Sequence, residues 1–94
     1  MGQAFGIFAG DGTVDQGSGN FSVQRQSAGN YLVTLNDTSN TPVVVVSVMS
    51  AYVTANAVIS QDGASGSNTF GIRTGFTDQQ GNMDVDWVHF IAQY

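Results

Sequence analysis

The chain has no cysteine, no lysine and no glutamate, one proline and two arginines in 94 residues. Without cysteine there is no disulfide scaffold, no thiolate metal site and no thiol redox chemistry. With Arg25 and Arg73 as the only strong cations against seven aspartates, the formal charge is −5. A nucleic-acid backbone would be repelled rather than neutralised, so no nucleic-acid partner is expected. The same charge disfavours anionic membrane surfaces, and the longest apolar run is far short of the ~20 residues a spanning helix needs. The start, Met1-Gly2-Gln3-Ala4-Phe5-Gly6, has no basic segment leading into an apolar one and no Ser or Thr at position 6. Neither an export signal, a lipid signal nor membrane insertion is expected.

Helix-forming sequence is also scarce. Gly, Asn, Ser, Thr and Val dominate, and no window of ten residues carries a glycine-free apolar stripe at helical spacing. The alternative is strand and turn throughout. Strands are expected at 3–9, 20–24, 31–36, 43–50, 55–60, 69–74 and 84–93, with glycine, asparagine and aspartate clusters between them. Residues 27–30, Ser-Ala-Gly-Asn, read as a tight hairpin, and the Gly/Ser-rich loop at 62–68 reads as mobile. The fold class is therefore all-β: one domain over 1–94, an antiparallel, jelly-roll-like β-sandwich of about seven short strands.

Alternation assigns the faces. Phe21 and Val23 share a side, as do Tyr31, Val33 and Leu35, and these sets should be buried. Two strands are apolar on both sides. One is the run Val43 to Val46, continued by Val48, which is expected at the centre of a sandwich and under a second copy. The other is the last strand, with Val88 and Phe90 on one side and Val85, Trp87, His89 and Ile91 on the other. So much two-sided apolar surface in a small chain points to self-association, with Trp87, His89 and Ile91 as the expected interface.

The succession Gly10-Asp11-Gly12-Thr13-Val14, then 19–25 (Gly-Asn-Phe-Ser-Val-Gln-Arg), then 29–35 (Gly-Asn-Tyr-Leu-Val-Thr-Leu) resembles the small C-terminal head domains of bacteriophage and prophage tail fibres. The stretches 42–46, 70–74 and 81–91 look like that family's closing strands. The resemblance covers nearly the whole chain. It implies a homotrimeric β-sandwich head in the virion, or in the bacterial cytoplasm before assembly, and a cell-surface receptor, expected to be a glycan. A fibre tip follows a long shaft, whereas this chain starts at Met1 without one. An excised domain or a short free-standing protein is expected.

Sites with chemistry are few. Asp84 and Asp86, two apart on a strand, would point the same way and with Asp78 could hold a divalent cation; the preferred reading is that they cap the turn, and no metal is assigned. The stretch 11–15 faintly resembles a calcium loop but lacks its other ligands, so a turn is preferred. His89 has no cysteine or Gly-x-Ser-x-Gly serine to serve, and reads as a packed or interfacial histidine. In a trimer with that face on the axis, three copies would converge and could bind a metal or sense pH, a reading ranked below the structural one. Arg25 and Arg73 should each meet an aspartate. No cofactor is expected.

For a glycan, Tyr52, Trp87 and Tyr94 could stack on a sugar face, with Asn56, Gln61, Asn68, Gln79 and Gln80 supplying hydrogen bonds. Core or interface filling is the preferred reading of the aromatics. Tyr52, Asn56, Asn68 and Gln79 are retained as the candidate ligand residues. Three functions follow in order of preference. The first is a non-enzymatic adhesive head of tail-fibre type, the second a self-assembling structural protein without a ligand. The third is a small hydrolase using Asp84 and Asp86, whose carboxylates are too close for most two-carboxylate glycosidases.

Overall fold

A computed structural model describes residues 2–60 and 67–94. The elements are β1 Gln3–Ala9, β2 Val14–Gly17, β3 Phe21–Ser27, β4 Asn30–Leu35, β5 Val43–Met49, β6 Ala55–Ser60, β7 Thr69–Phe76 and β8 Trp87–Gln93. They form two antiparallel sheets of four, in the order β2-β1-β8-β5 (sheet A) and β3-β4-β7-β6 (sheet B). The all-β sandwich expected from the sequence is present, with one strand more. That strand, β2, escaped notice because Val-Asp-Gln-Gly does not alternate and all four residues are exposed. Its place is set by Gly17: a Cβ there would stand 2.6 Å from the Phe5 carbonyl oxygen and against the Phe21 ring, so only glycine allows this approach to β1.

The core lies between the sheets. Phe8, Val88, Phe90, Ala4 and Ala92 face in from sheet A, and Phe21, Tyr31, Val33, Leu35, Phe70 and Ile72 from sheet B. Val23 packs against them from β3, so the alternation in β3 and β4 was read correctly. Aromatic edges join the two layers: Phe8 meets Tyr31 with ring centroids 5.1 Å apart, and Phe90 meets Phe21 at 4.8 Å and Phe70 at 5.8 Å. Such pairs add about 0.5–1.5 kcal/mol each beyond the area they bury.

Two expectations need correction. The valine run is not central: among the described residues β5 is an edge strand of sheet A, paired with β8 alone. Val44, Val46 and Val48 pack against the core, while Val43 and Val45 remain 73% and 68% exposed. The last strand begins at Trp87 rather than at 84, and the irregular stretch before it turns Val85 into the core instead of onto the Trp87 side.

The Ser27–Asn30 hairpin is as expected, with only Ala28 and Gly29 between β3 and β4. The expected mobile loop at 62–68 lies outside the described residues except for Ser67 and Asn68. At the chain ends, the Gly2 amide donates to the Tyr94 carbonyl (2.6 Å) and the Tyr94 amide to Gly2 (3.0 Å). No helix among the described residues is long and apolar enough to cross a membrane.

Candidate interaction face

Register determines which side chains share the outer face of sheet A. Pairing of β1 with β8 and of β8 with β5 aligns Gln3, Gln93 and Val43; then Phe5, Ile91 and Val45; then Ile7, His89 and Ser47; then Ala9, Trp87 and Met49. Gln16 of β2 extends the third row. None of these side chains is an aspartate or arginine. Phe5, Val43, Val45, Met49 and Ile91 are all exposed large apolar residues. Across the four strands the surface forms a shallow groove of about 420 Å³ lined mainly by Phe5, Ile7, Val45, Ser47, His89 and Ile91.

The outer face of sheet B is different in kind. Its rows are Ser22, Thr34 and Thr69; Gln24, Leu32, Gly71 and Ser60; and Asn30, Arg73 and Val58. Hydroxyls, amides, glycine and Arg73 predominate there, with Leu32 and Val58 as isolated apolar members, as on an ordinary solvated sheet face. The contrast makes sheet A the candidate site. Trp87, His89 and Ile91, expected together from their spacing, do lie together at its centre on β8. Phe5, Ile7, Val43, Val45 and Met49 complete it; the valines were expected under a second copy, but their place beside Ile91, like that of Phe5, Ile7 and Met49, was not assigned because the pairing with β8 is between residues far apart in the chain. The available signal was in β1 itself, where Phe5 and Ile7 oppose Ala4 and Phe8, another strand apolar on both sides.

His89 is half-buried in this face, and its Nε2 is enclosed with no hydrogen-bond partner among the described residues. An orphaned buried polar atom costs about 1–3 kcal/mol. No group of three or more His, Asp, Glu or Cys side chains able to hold a metal occurs among the described residues.

The carboxylates are separated. Asp84 accepts from Arg25 Nη2 at 2.8 Å and Nε at 3.1 Å, from the Gly29 amide at 2.7 Å and from the Tyr31 hydroxyl at 3.0 Å. Partial burial works against its ionisation, but the Arg25, Gly29 and Tyr31 donors outweigh it and hold the carboxyl below the usual aspartate range. Asp86 instead faces Ser50 Oγ at 3.4 Å and the Ala51 amide at 3.5 Å. The expectation that Asp84 and Asp86 point the same way is thus overturned, because β8 starts only after them. Arg25 meets an aspartate as expected. The turn reading of 11–15 is supported by Asp11, whose Oδ1 accepts the Thr13 amide at 2.9 Å.

Of the candidate ligand residues, three gather at one end of sheet B. Tyr52 meets the Phe76 ring edge-on at 5.9 Å, Asn56 pairs with Gly75, and the Gln79 amide donates to the Phe76 carbonyl. Asn68 sits at the opposite end of β7, its side chain donating to the Leu35 carbonyl at 2.8 Å. Gln61 lies outside the described residues. Tyr94 is engaged in a polar cluster, donating to Asp37 and accepting from Asn20. Set against protein-family models, curated proteins and solved structures, the chain matches none.

Proposed function

We propose that this chain is a non-enzymatic structural domain that assembles with copies of itself through the outer face of sheet A. The observation that carries the reading is the charge-free apolar surface made by Phe5, Ile91, Val45, Val43 and Met49 on neighbouring strands. All five are about half exposed or more, so together they present a contiguous apolar surface on the order of a few hundred Å². That is comparable to the ~300–600 Å² found for the largest patch on a monomer, a range in which patches are often functional. With a formal charge of −5 the chain repels its copies as a whole, and a face without charged side chains adds no close like-charge contact to that repulsion.

The resemblance to tail-fibre heads implies three copies. In an adhesive head of that kind, Tyr52, Asn56 and Gln79 would meet a cell-surface glycan from the end of sheet B, away from the assembled face. Light scattering on a size-exclusion column, over a range of concentrations, tests the assembly. Wild type is expected to run as a multimer and Ile91→Asp, which puts a charge at the centre of the face, as a folded species of smaller mass. A wild-type monomer at all concentrations, or an Ile91→Asp variant of unchanged mass, would overturn the reading.

A further inference from the structure

Strand β5 is an edge of sheet A that lies close beside β6, the edge of sheet B, yet among the described residues its backbone hydrogen-bonds only to β8. It runs seven residues, Val43–Met49, in unbroken register with β8. It contains no charge and no proline. The edges at the other side of the sandwich are blunted. β2 is four residues long, carries Asp15 and meets β1 through a bulge. β3 has a bulge between Arg25 and Ser27 and is crossed by the Arg25–Asp84 ion pair. Bulges, charges and shortness are the devices that stop one sheet edge pairing with another, and β5 has none of them.

We infer that β5 pairs edge to edge with β5 of a second copy, antiparallel about a two-fold axis through Val46. The backbone groups along the free edge require an extended strand as partner, and the β5 sequence selects a copy of itself. Centred on Val46, the pairing uses all seven residues. It sets Val44 opposite Val48 and Val46 opposite Val46 on the core side, and Val43 opposite Met49 and Val45 opposite Ser47 on the outer side. A one-residue slip would turn the second copy's core face outward, and a two-residue slip keeps the faces but leaves residues of each strand unpaired, so pairing about Val46 is the favoured register. β-branched side chains opposite one another are favourable cross-strand pairs, and with no charge in either strand a copy meets no local repulsion. Pairing joins the two copies of sheet A into one sheet of eight strands, whose apolar outer face continues across the junction.

The inference rests on the reading that the chain assembles with itself, and adds a contact with a different symmetry. A trimer formed through the face and joined at its edges in this way has an even number of copies, six in the smallest closed case.

The absence of native cysteine allows a register-specific test. Val45→Cys and Ser47→Cys are made as separate variants, both at exposed outer-face positions. Opposed residues in antiparallel strands have Cα atoms ~4.5–5.5 Å apart, inside the ~4.4–6.8 Å range of disulfides. Under mild oxidation the mixture of the two variants is expected to give at least tenfold more covalent dimer on a non-reducing gel than either variant alone. Equal dimer from Val45→Cys alone and from the mixture overturns the register and with it the inference. No dimer from the mixture, with a strict three-copy mass for wild type, overturns the edge contact and leaves the proposed function standing. A wild-type monomer overturns both.

Discussion

The Tyr31 hydroxyl stands 3.0 Å from the Asp84 carboxylate and 2.6 Å from the Gly10 carbonyl oxygen, two acceptors competing for one proton. Tyr31 belongs to β4 in sheet B, whereas Gly10 follows β1 and Asp84 leads into β8, both in sheet A. The hydroxyl therefore fastens one sheet to the other where the sandwich is open. Burial first, and then the hydrogen bond and negative charge of Asp84, push its pKa up to about 12.

An alkaline limb follows from that shift. The folded state favours the neutral phenol, so its contribution is fully present below the unfolded tyrosine value of ~10 and is lost as pH rises towards 12. Tyr31→Phe is expected to cost about 1–2 kcal/mol at neutral pH, because the proton shared by the Gly10 carbonyl and Asp84 is lost while Asp84 keeps Arg25 and the Gly29 amide. It should also flatten the fall in stability above pH ~10. Urea unfolding at neutral pH and above pH 10 reads both effects.

At the acid end the sign reverses. Asp84 is held below its ordinary value, so its contribution is present above the unfolded aspartate value of ~3.9 and is lost as pH falls through the lower folded value. Asp84→Asn is expected to lower the neutral-pH midpoint and to reduce the slope below pH ~4.

Gly29 ties the β3–β4 hairpin to the same network. Its φ is +65°, its amide donates to Asp84, and an added Cβ would lie 2.5 Å from the Met83 nitrogen and 2.6 Å from the Thr74 oxygen. Gly29→Ala combines left-handed strain with backbone overlap and is expected to destabilise by about 3 kcal/mol or more. Gly19 also has positive φ, at +82°, but open space around it. Gly19→Ala should cost only the conformational part, about 1–2 kcal/mol. Paired thermal melts separate the clash from the strain.

His89→Leu removes the enclosed, unpartnered Nε2 while keeping bulk on the sheet A face. Stability is expected to hold or to rise by about 1 kcal/mol, the reverse of the usual result for a half-buried side chain. Denaturant midpoints at one fixed protein concentration make the comparison fair, because an assembling chain changes its apparent stability with concentration.

Local pattern made much of this fold legible. Alternation in β3 and β4 identified Phe21, Tyr31, Val33 and Leu35 as core, and Gly29 marked the hairpin between them, because those signals act over a few residues. The face made by Trp87, His89 and Ile91 was legible for the same reason. What surrounds it was not. Phe5 and Val45 flank Ile91 only through pairing of strands that lie far apart along the chain, and no short-range pattern encodes which strands become neighbours. The valine run misled because a strand apolar on both sides is the usual sign of a central strand, while here Val43 and Val45 stand exposed on an edge strand. Asp84 and Asp86 were misread because a period of two holds only inside a strand, and β8 begins at Trp87.

Gly2 and Tyr94 exchange two backbone hydrogen bonds, so the chain closes on itself almost as a ring. Joining the ends with a few flexible residues would stretch nothing, and the backbone could be cut instead in an exposed connection such as the one between β4 and β5. The order in which the strands are threaded is therefore separable from the shape they build. Because the ends meet at one edge of the molecule, the same sandwich could hang as a pendant from a loop of a larger host chain, leaving the path of that host undisturbed.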